Sequence, residues 1–453
     1  MDIEPLDLTG IGIGPFNLGL AALLAPHCGI RSRFLERKSE FSWHNGMMLP
    51  GTTLQVPFLA DLVTMADPTN SLSFLNYLHA HDRLYQFYYH ESFHVPREEY
   101  EHYCRWASRQ LMSCRFGEEV TSVVHETSSD TFVIESRQSS GDSRHYRSRD
   151  LALGIGTVPF LPHWAETCTS APLVHSAQFA DWLGRLSKCR QVTVVGAGQS
   201  AAECVLALYQ ALTPKMIESG ASIHWITRSP GFHPMEYSKL GQECFTPAHL
   251  HYFHDIPRER RREIVAGQGL LYKGISVSTI AEVFDLMYER SVGGRDPGLS
   301  LAANCEVIAV EEPAPGRLRL EMRHMILGQT SYLESDAIVA ATGYHHAWPA
   351  WFDNLKERVL ETDSKGDAIV EANFTARRRD GGSGRIFIQN AEIFQHGVGA
   401  PDLGLGAYRN ATIANQLLGR EHYRHSSRSS FQDYGMPTFS IVVEDGPVSR
   451  EQY

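Results

Sequence analysis

The chain has 453 residues, more than one hydrophobic core usually supports, so two or three packed units are expected. Its 43% hydrophobic, 10% aromatic and 21% charged residues are typical of a globular protein and exclude a disordered or fibrous one. A formal net charge of -11 argues against binding to nucleic acid or to an anionic membrane and favours a cationic small molecule.

The beginning of the chain and its cysteines bear on the compartment. The start MDIEPLDL lacks the basic residues and the uninterrupted apolar core of a signal peptide. No stretch approaches the roughly 20 consecutive apolar residues of a membrane helix. The eight cysteines form no CxxC pair and no metal-ligand spacing with histidines. We therefore expect a cytoplasmic protein without a membrane span, a bound metal or dithiol chemistry.

The N-terminal segment predicts a βαβ unit that binds a dinucleotide. A strand, the turn GIGPFN at 12–17, a helix and a second strand that ends at Glu36 follow in order. Gly12 and Gly14 would let a phosphate approach the backbone N–H groups at the start of the helix. Asn17 stands at the third fingerprint position, where glycine or alanine is usual, so the match is imperfect. Glu36 falls where a ribose-binding acid belongs.

The segment around residue 195 predicts a second dinucleotide unit. Gly196, Gly198 and Ala201 form the GxGxxA pattern between a strand and a helix. The next strand ends in Arg228 rather than in an acid, which favours the 2′-phosphate of NADPH over the ribose of NADH. An ordinary surface arginine is the alternative interpretation of Arg228. The residues predicted to bind NADPH are Gly196, Gly198, Gln199, Ser200, Arg228 and Ser229.

A third apolar strand, near residue 340, ends in the small-residue turn Ala341-Thr342-Gly343. It has a weaker counterpart at 151–157. Two dinucleotide units, with this turn returning the chain to the first of them, imply one tightly held flavin and one exchangeable nicotinamide. The sequence thus predicts a two-dinucleotide flavoprotein.

A series of ordered motifs between residues 8 and 420 indicates which flavoprotein this is. The motifs are GIGPFN (12–17), FSWHNGM (41–47), LQVPFL (54–59), DLV (61–63), DPT (67–69), FLNYL (74–78), VVGAGQSAAE (194–203) and ATGY (341–344). Together they resemble the N-hydroxylating monooxygenases of siderophore biosynthesis, which act on lysine, ornithine or diamines. The FxGxxxHxxxW fingerprint of flavin-containing and Baeyer-Villiger monooxygenases is absent around His175.

The resemblance implies an enzyme that holds FAD, accepts NADPH and O2, forms a C4a-hydroperoxyflavin and transfers its distal oxygen to a neutral primary amine. The flavin performs the oxidation, so no side chain is required as an acid–base catalyst. The resemblance also implies that the turn from His396 to Gly404 closes over the edge of the isoalloxazine ring. The residues assigned to FAD are Gly12, Gly14, Pro15, Asn17, Glu36, Trp43, His44, Gln55, Thr342, Gly343, Asp402 and Leu403.

Three departures from the family's pattern bear on the substrate. Members that hydroxylate amino acids usually carry a lysine where this chain has Ala60, and that lysine is associated with the substrate carboxylate. Without it, a buried carboxylate would lose a charge-assisted hydrogen bond of about 1.5 to 3 kcal/mol. Gln242 and Gly274 stand where ornithine-type members tend to carry asparagine. We therefore predict a diamine, cadaverine or putrescine, bound near Ala60, Gln242 and Gly274. Lysine or ornithine is the alternative if another residue replaces the lysine.

The expected architecture is α/β, with two Rossmann-like dinucleotide-binding domains. Residues 1–185 and 335–453 would form the FAD domain and residues 186–334 the NADPH domain, of which 236–295 would supply a small helical substrate region. The resemblance further implies a homo-oligomer such as a tetramer. Two other functions stay open, an NADPH oxidase or reductase that releases peroxide and a non-enzymatic, flavin-binding redox sensor.

Overall fold

A computed structural model describes residues 4–166, 172–426 and 428–436. The parts of the predicted FAD domain at 1–3, 167–171, 427 and 437–453 lie outside the described residues. The strands are β1 (Leu6–Ile11), β2 (Ser32–Glu36), β3 (Cys114–Phe116), β4 (Glu118–Glu126), β5 (Thr131–Gln138), β6 (Ser143–Leu153), β7 (Val158–Pro159), β8 (Leu173–His175), β9 (Gln191–Val195), β10 (Ser222–Ile226), β11 (Leu299–Ala302), β12 (Cys305–Ala314), β13 (Arg317–His324), β14 (Thr330–Ser335), β15 (Ala337–Ala340), β16 (Tyr344–His345) and β17 (Ile386–Ile388).

The helices are distributed along the whole described chain. They are α1 (Pro15–Leu24), α2 (Phe74–Ala80), α3 (Leu84–His90), α4 (Arg97–Gln110), α5 (His163–Glu166), α6 (Phe179–Leu186), α7 (Gln199–Ala211), α8 (Pro214–Glu218), α9 (Pro247–Asp255), α10 (Arg258–Gly267), α11 (Val277–Ser291), α12 (Ala350–Arg358), α13 (Ile393–His396) and α14 (Gly406–Leu418). Short 3-10 turns lie at Asn45–Met47, Ser176–Gln178, Gly241–Phe245, Gly269–Leu271, Gly397–Gly399 and Leu403–Leu405. No helix among the described residues is long and apolar enough to cross a membrane.

The first sheet is built from both ends of the chain. Its order is β3-β2-β1-β6-β5-β4, and β17 pairs in parallel with β6. Helix α1 lies against α14 and α4, and all of its residues except Pro15 are buried. A helix that is enclosed by protein is typically apolar on every side, and this explains the largely apolar sequence PFNLGLAALL of α1.

The second sheet, with the order β11-β10-β9-β15-β8, is parallel throughout. The predicted boundaries at 186 and 334 placed β8 and β15 in the FAD domain, and the strand pairing corrects this assignment. Strand β9 has apolar residues on both faces and is buried between β10 and β15. Such a strand requires a neighbour on each edge, but its sequence does not say which strand that is.

Residues 236–295 contain helical elements, namely α9, α10, α11 and two 3-10 turns. Their starts follow local capping rules. Thr246 Oγ1 accepts a hydrogen bond from His249 N at 3.3 Å before α9, and Ser276 Oγ accepts one from Thr279 N at 3.2 Å before α11. Beyond this region, β12, β13 and β14 form a separate antiparallel sheet.

A buried ion pair joins the two units. Arg97, at the start of α4, donates to both carboxylate oxygens of Glu203 in α7, at 3.0 and 2.7 Å. Arg97 also donates to Met47 O at 2.7 Å, and Gln199 Nε2 donates to Glu203 Oε1 at 3.0 Å. Both members of the pair are less than 10% exposed. This contact therefore fixes α7, which follows the second glycine turn, against α4 of the FAD unit.

Candidate active site

The turn before α1 forms a cradle for a phosphate group. Gly12 has a φ of +85°, and a Cβ there would lie 2.4 Å from Gly154 O, so only glycine fits. At Gly14 a Cβ would meet no atom within 4 Å, and no side chain caps the helix that begins at Pro15. Open space beside uncapped N–H groups at a helix N-terminus fits the pyrophosphate of FAD.

Asn17 lies behind this cradle and is fully buried. Its Nδ2 donates to Gly12 O at 2.8 Å and to the carbonyls of Ile11 and Ala152, each at 3.2 Å. Its Oδ1 accepts from Gln389 Nε2 at 2.5 Å. The predicted FAD residue Asn17 therefore uses its side chain to tie together the ends of β1, β6 and β17, which leaves its backbone N–H for a ligand.

Glu36 stands at the end of β2 and faces the same turn. Its Oε2 accepts a hydrogen bond from Ile13 N at 2.9 Å, and its Oε1 accepts one from Lys38 N at 3.0 Å. These bonds fix the carboxylate beside the glycine turn. It can accept hydrogen bonds from a ribose there.

The FSWHNGM and ATGY motifs meet in space. His44, with a φ of +51°, lies 4.4 Å from Trp43 and 6.1 Å from Tyr344, measured between ring centroids. Desolvation, followed by the charges of Arg97 and Lys38, lowers the pKa of His44 to about 4. The ring is therefore neutral at pH 7. Thr342 and Gly343 immediately precede Tyr344.

His175, which the sequence did not assign to the site, supports this meeting point. Its Nδ1 accepts from Ala177 N at 3.0 Å, so the ring proton lies on Nε2, which donates to Gly343 O at 3.0 Å. The ring lies 5.3 Å from Tyr344. The position of His175 at the end of the short strand β8 gave no signal, because the partner carbonyl is 168 residues away.

Ala60 lies next to the turn that carries Asp402 and Leu403. Ala60 is 6% exposed. A Cβ built on Gly404 would lie 3.9 Å from Ala60 Cβ and 2.8 Å from Asp402 Oδ1. Asp402 Oδ1 accepts from Gly404 N at 2.8 Å, which fixes the start of the 3-10 turn. The predicted substrate residue Ala60 and the predicted FAD residue Asp402 thus lie on either side of the backbone at Gly404.

Gln55 and Tyr237 extend the wall of the site that Ala60 and the Asp402 turn form. Tyr237 OH donates to Gln55 Oε1 at 2.6 Å and so joins the LQVPFL motif to the start of the helical region. Burial, followed by the charge of Asp402, raises the pKa of Tyr237 to about 12. Burial raises the pKa of Asp402 to about 6, against the opposing hydrogen bonds from Gly404 and Leu405 N–H and the charge of Arg409. Tyr237 belongs to no motif and was therefore not predicted from the sequence.

Gln242 and Gly274, the other two predicted substrate residues, occupy different surroundings. Gln242 lies in the turn Gly241–Phe245, which packs on the turn Gly397–Gly399, so it is near the Asp402 segment. Gly274 is buried, and a Cβ there would lie 2.4 Å from Met235 N. Close approach of two backbone segments therefore explains the glycine.

The NADPH turn begins α7. Gly196 has a φ of +149°, and a Cβ there would lie 2.3 Å from Ala341 O. No side chain caps α7 after Gly198, so its N–H groups can bind a phosphate. The side chain of Gln199 is engaged by protein, since its Oε1 accepts from Ser276 N at 2.7 Å. Ser200 follows on the first turn of the helix.

Arg228 lies at the end of β10, where the sequence predicts the 2′-phosphate. Its side chain is exposed, and Ser229 N donates to Thr227 Oγ1 at 3.0 Å beside it. Within the described part of the chain, no group of three or more His, Cys, Asp or Glu side chains is arranged to hold a metal ion. The described cysteines are free.

Two glycine turns at the starts of α1 and α7, each at the carboxyl end of a parallel strand, define a flavoprotein with two dinucleotide sites. A family model for L-lysine 6-monooxygenase/L-ornithine 5-monooxygenase matches residues 4–346, and the chain belongs to this family. It is therefore an FAD-containing, NADPH-dependent N-monooxygenase. The resemblance, the α/β fold and both cofactors predicted from the sequence are confirmed.

Three similar proteins illustrate the relationship. The rhizobactin siderophore biosynthesis protein RhbE of Rhizobium meliloti is 64% identical over 95% of this chain and 95% of its own length. A putrescine N-hydroxylase of Shewanella oneidensis is 38% identical over 94% of this chain and 84% of its own length. The crystal structure of DfoA from Erwinia amylovora, a cadaverine monooxygenase bound to FAD, has a TM-score of 0.90 and 36% identity, and the match covers 97% of this chain and 100% of that one.

Proposed function

We propose that this enzyme hydroxylates one nitrogen of a diamine, cadaverine or putrescine, for the synthesis of a hydroxamate siderophore. The observation that carries the proposal is the small, buried Ala60 beside the Asp402 turn, which places no cation there for a substrate carboxylate. The names of the similar proteins support it, since they include a siderophore biosynthesis protein, a putrescine N-hydroxylase and a cadaverine monooxygenase.

The reaction requires a neutral amine. An alkylammonium titrates near pH 10.4 in water and has no lone pair to attack oxygen. In the proposed site, partial desolvation beside the buried Ala60 and the bonded pair of Gln55 and Tyr237 would lower this pKa. Bound FAD, reduced by NADPH, supplies the oxygen-activating chemistry. The protein binds and orients the amine and excludes water.

The two glycine turns and the residues around them hold the cofactors. The N–H groups after Gly14 hold the FAD pyrophosphate and Glu36 its ribose, while the N–H groups after Gly198 and the Arg228 guanidinium hold NADPH. Trp43 and the neutral His44 ring line the flavin. The remaining assigned residues shape these sites through backbone or side-chain contacts. They are Gly12, Pro15, Asn17, Gln55, Thr342, Gly343, Asp402, Leu403, Gly196, Gln199, Ser200 and Ser229.

The test is a product assay with four amines. Purified enzyme with FAD, NADPH and O2 is expected to form a hydroxylamine from cadaverine or putrescine and little from lysine or ornithine. Product from lysine or ornithine at comparable kcat/KM contradicts the diamine assignment and keeps the activity. Peroxide without hydroxylamine from any of the four would point to an NADPH oxidase, and a yellow protein that consumes no NADPH would point to a redox sensor.

A cytoplasmic homo-oligomer forms part of the proposal. The free cysteines among the described residues fit a reducing compartment. On α3 the side chains of Tyr85, Tyr88 and Tyr89 are 79%, 69% and 74% exposed, and exposed apolar patches often mark contact surfaces. Light scattering on the purified protein gives the number of subunits, and a monomer at micromolar concentration would contradict the oligomer.

A further inference from the structure

A diamine enters its oxidation with one nitrogen neutral and the other charged. The neutral nitrogen must face the bound flavin, and the charged one needs a partner because burying an unpaired ammonium is costly. The location of the anion that pairs with the charged nitrogen shows where the unoxidised end of the diamine binds. The inference below rests on the proposed diamine substrate.

Three carboxylates near this wall already have partners. Asp61, next to Ala60, is 3% exposed and accepts from Thr64 Oγ1 and Phe74 N at 2.6 and 2.7 Å. Glu236 accepts from Ser238 N at 2.6 Å. Glu243 accepts from Phe431 N and Gln432 N, each at 3.0 Å, on the outer surface. Each of the three carboxylates is held by at least one hydrogen bond from a backbone N–H group.

Asp402 also accepts backbone hydrogen bonds, from Gly404 N at 2.8 Å and from Leu405 N, and it differs from these acids in lying across Gly404 from the methyl group of Ala60. Among the described residues Asp402 forms no ion pair, and the nearby Arg409 pairs with Glu392, with Nε and Oε1 3.2 Å apart. Ala60 lies on the other side of Gly404 and supplies only a methyl group. Burial raises the pKa of Asp402, which marks an anion short of both water and cations.

The neighbours of Asp402 also fit an alkyl chain. Its charge acts on the buried phenols of Tyr237 and Tyr100, and Trp43 lies 5.4 Å from Tyr100 between ring centroids. Tyr237 in turn is bonded to Gln55. The anion therefore stands at an aromatic wall that continues to the Trp43 and His44 segment.

We propose that the Asp402 carboxylate binds the ammonium group at the end of the diamine that is not oxidised. Asp402 is then a specificity-determining residue. It selects a substrate with a second cation, and the absence of a cationic side chain at position 60 leaves it free to do so.

The test compares two substrates that differ only at the far end. Cadaverine and n-pentylamine share a five-carbon chain, but pentylamine ends in a methyl group. The wild-type holoenzyme is expected to prefer cadaverine in kcat/KM by about 10- to 100-fold, the usual range for a charge-assisted contact. Asp402→Asn is expected to abolish that preference, chiefly by raising KM for cadaverine.

Two further variants make the result specific. Glu243→Gln neutralises a nearby acid that already bonds to Phe431 and Gln432, and it is expected to keep the preference. Ala60→Lys places an ammonium beside Asp402 and is expected to raise KM for cadaverine more than KM for pentylamine. This variant decides the question if Asp402→Asn fails to retain FAD, which the visible flavin absorbance reports.

The outcomes separate this inference from the proposed function. If the wild-type enzyme hydroxylates cadaverine and Asp402→Asn keeps the full preference over pentylamine, the assignment of Asp402 is wrong and the function stands. The assignment is also wrong if Glu243→Gln removes the preference instead. If the wild-type enzyme hydroxylates neither diamine, the proposed function itself fails.

Discussion

Individual side chains in the cleft have ionisation properties that differ from those in water. Burial raises the pKa of Asp402 to about 6, and burial with the Asp402 charge raises that of Tyr237 to about 12. Desolvation lowers the pKa of His44 to about 4. Between pH 5 and 8, therefore, Asp402 titrates while Tyr237 and His44 stay neutral.

This predicts a pH dependence of substrate preference. As the pH falls through about 6, Asp402 in the free enzyme takes up a proton and loses the charge that binds the ammonium. The kcat/KM ratio of cadaverine to n-pentylamine should then fall about tenfold per pH unit. The ratio cancels the protonation of the reacting amine, which both substrates share. A ratio that stays constant from pH 5 to 8 contradicts the prediction.

The two glycines of the first turn predict different effects. At Gly12, alanine combines a φ of +85° with a 2.4 Å contact to Gly154 O, so Gly12→Ala should lower both the unfolding temperature and FAD binding. At Gly14, φ is -84° and the space is open, so Gly14→Ala should leave the FAD-free fold unchanged. Its methyl group should weaken FAD binding at least about tenfold, because it blocks the phosphate.

Thermal unfolding of the FAD-free protein and fluorescence titration with FAD separate the two effects. Wild-type FAD affinity in Gly14→Ala would show that the pyrophosphate lies elsewhere.

At the scale of elements, the position of α4 against α7 depends on the buried pair of Arg97 and Glu203. Removing one member of such a pair leaves an uncompensated buried charge and costs about 3 to 5 kcal/mol, whereas replacing both is often neutral. Arg97→Met should therefore lower the free energy of unfolding by that amount, and Arg97→Met with Glu203→Met should lower it less.

A double-mutant cycle built from unfolding temperatures and denaturant curves measures this coupling. Additive losses in the double variant would mean that the two side chains act independently. Arg97→Lys is the matched control, since it keeps the charge but loses the two-pronged contact with both carboxylate oxygens.

At the scale of the whole molecule, the FAD unit closes only when the end of the chain returns to its beginning. Strand β17 pairs with β6, α14 packs on α1, and Gln389 bonds to Asn17. Tyr423 OH also donates to Leu23 O at 2.5 Å. The contact of Gln389 with Asn17 spans 372 residues of sequence, and that of Tyr423 with Leu23 spans 400.

A fragment of residues 1–346, the span that ends with the family match, should therefore not hold FAD. Without β17 and α14 the apolar surface of α1 is uncovered, and the fragment should bind hydrophobic dyes or aggregate. Co-expression with residues 347–453 should restore flavin absorbance. A yellow, monomeric fragment on its own would show that the returning segment is dispensable.

The sequence by itself determined the class of the protein and the positions of its two glycine turns. A strand, a glycine turn and the start of a helix lie within about 20 residues, and local sterics at Gly12 and Gly196 dictate the residue type. The family resemblance and both cofactors followed from such local motifs and are confirmed. The substitution at Ala60 was readable for the same reason, since it lies within a motif.

The tertiary structure alone decided what depends on distant pairing. Strands β8 and β15 belong to the second sheet, against the predicted domain boundaries, because an apolar strand does not encode its neighbour. Asn17 departs from the fingerprint because its amide links three strand ends, one of which comes from beyond residue 380. Asp402 and Tyr237 approach the Ala60 segment only after the chain has folded, and desolvation at that meeting point determines their pKa values.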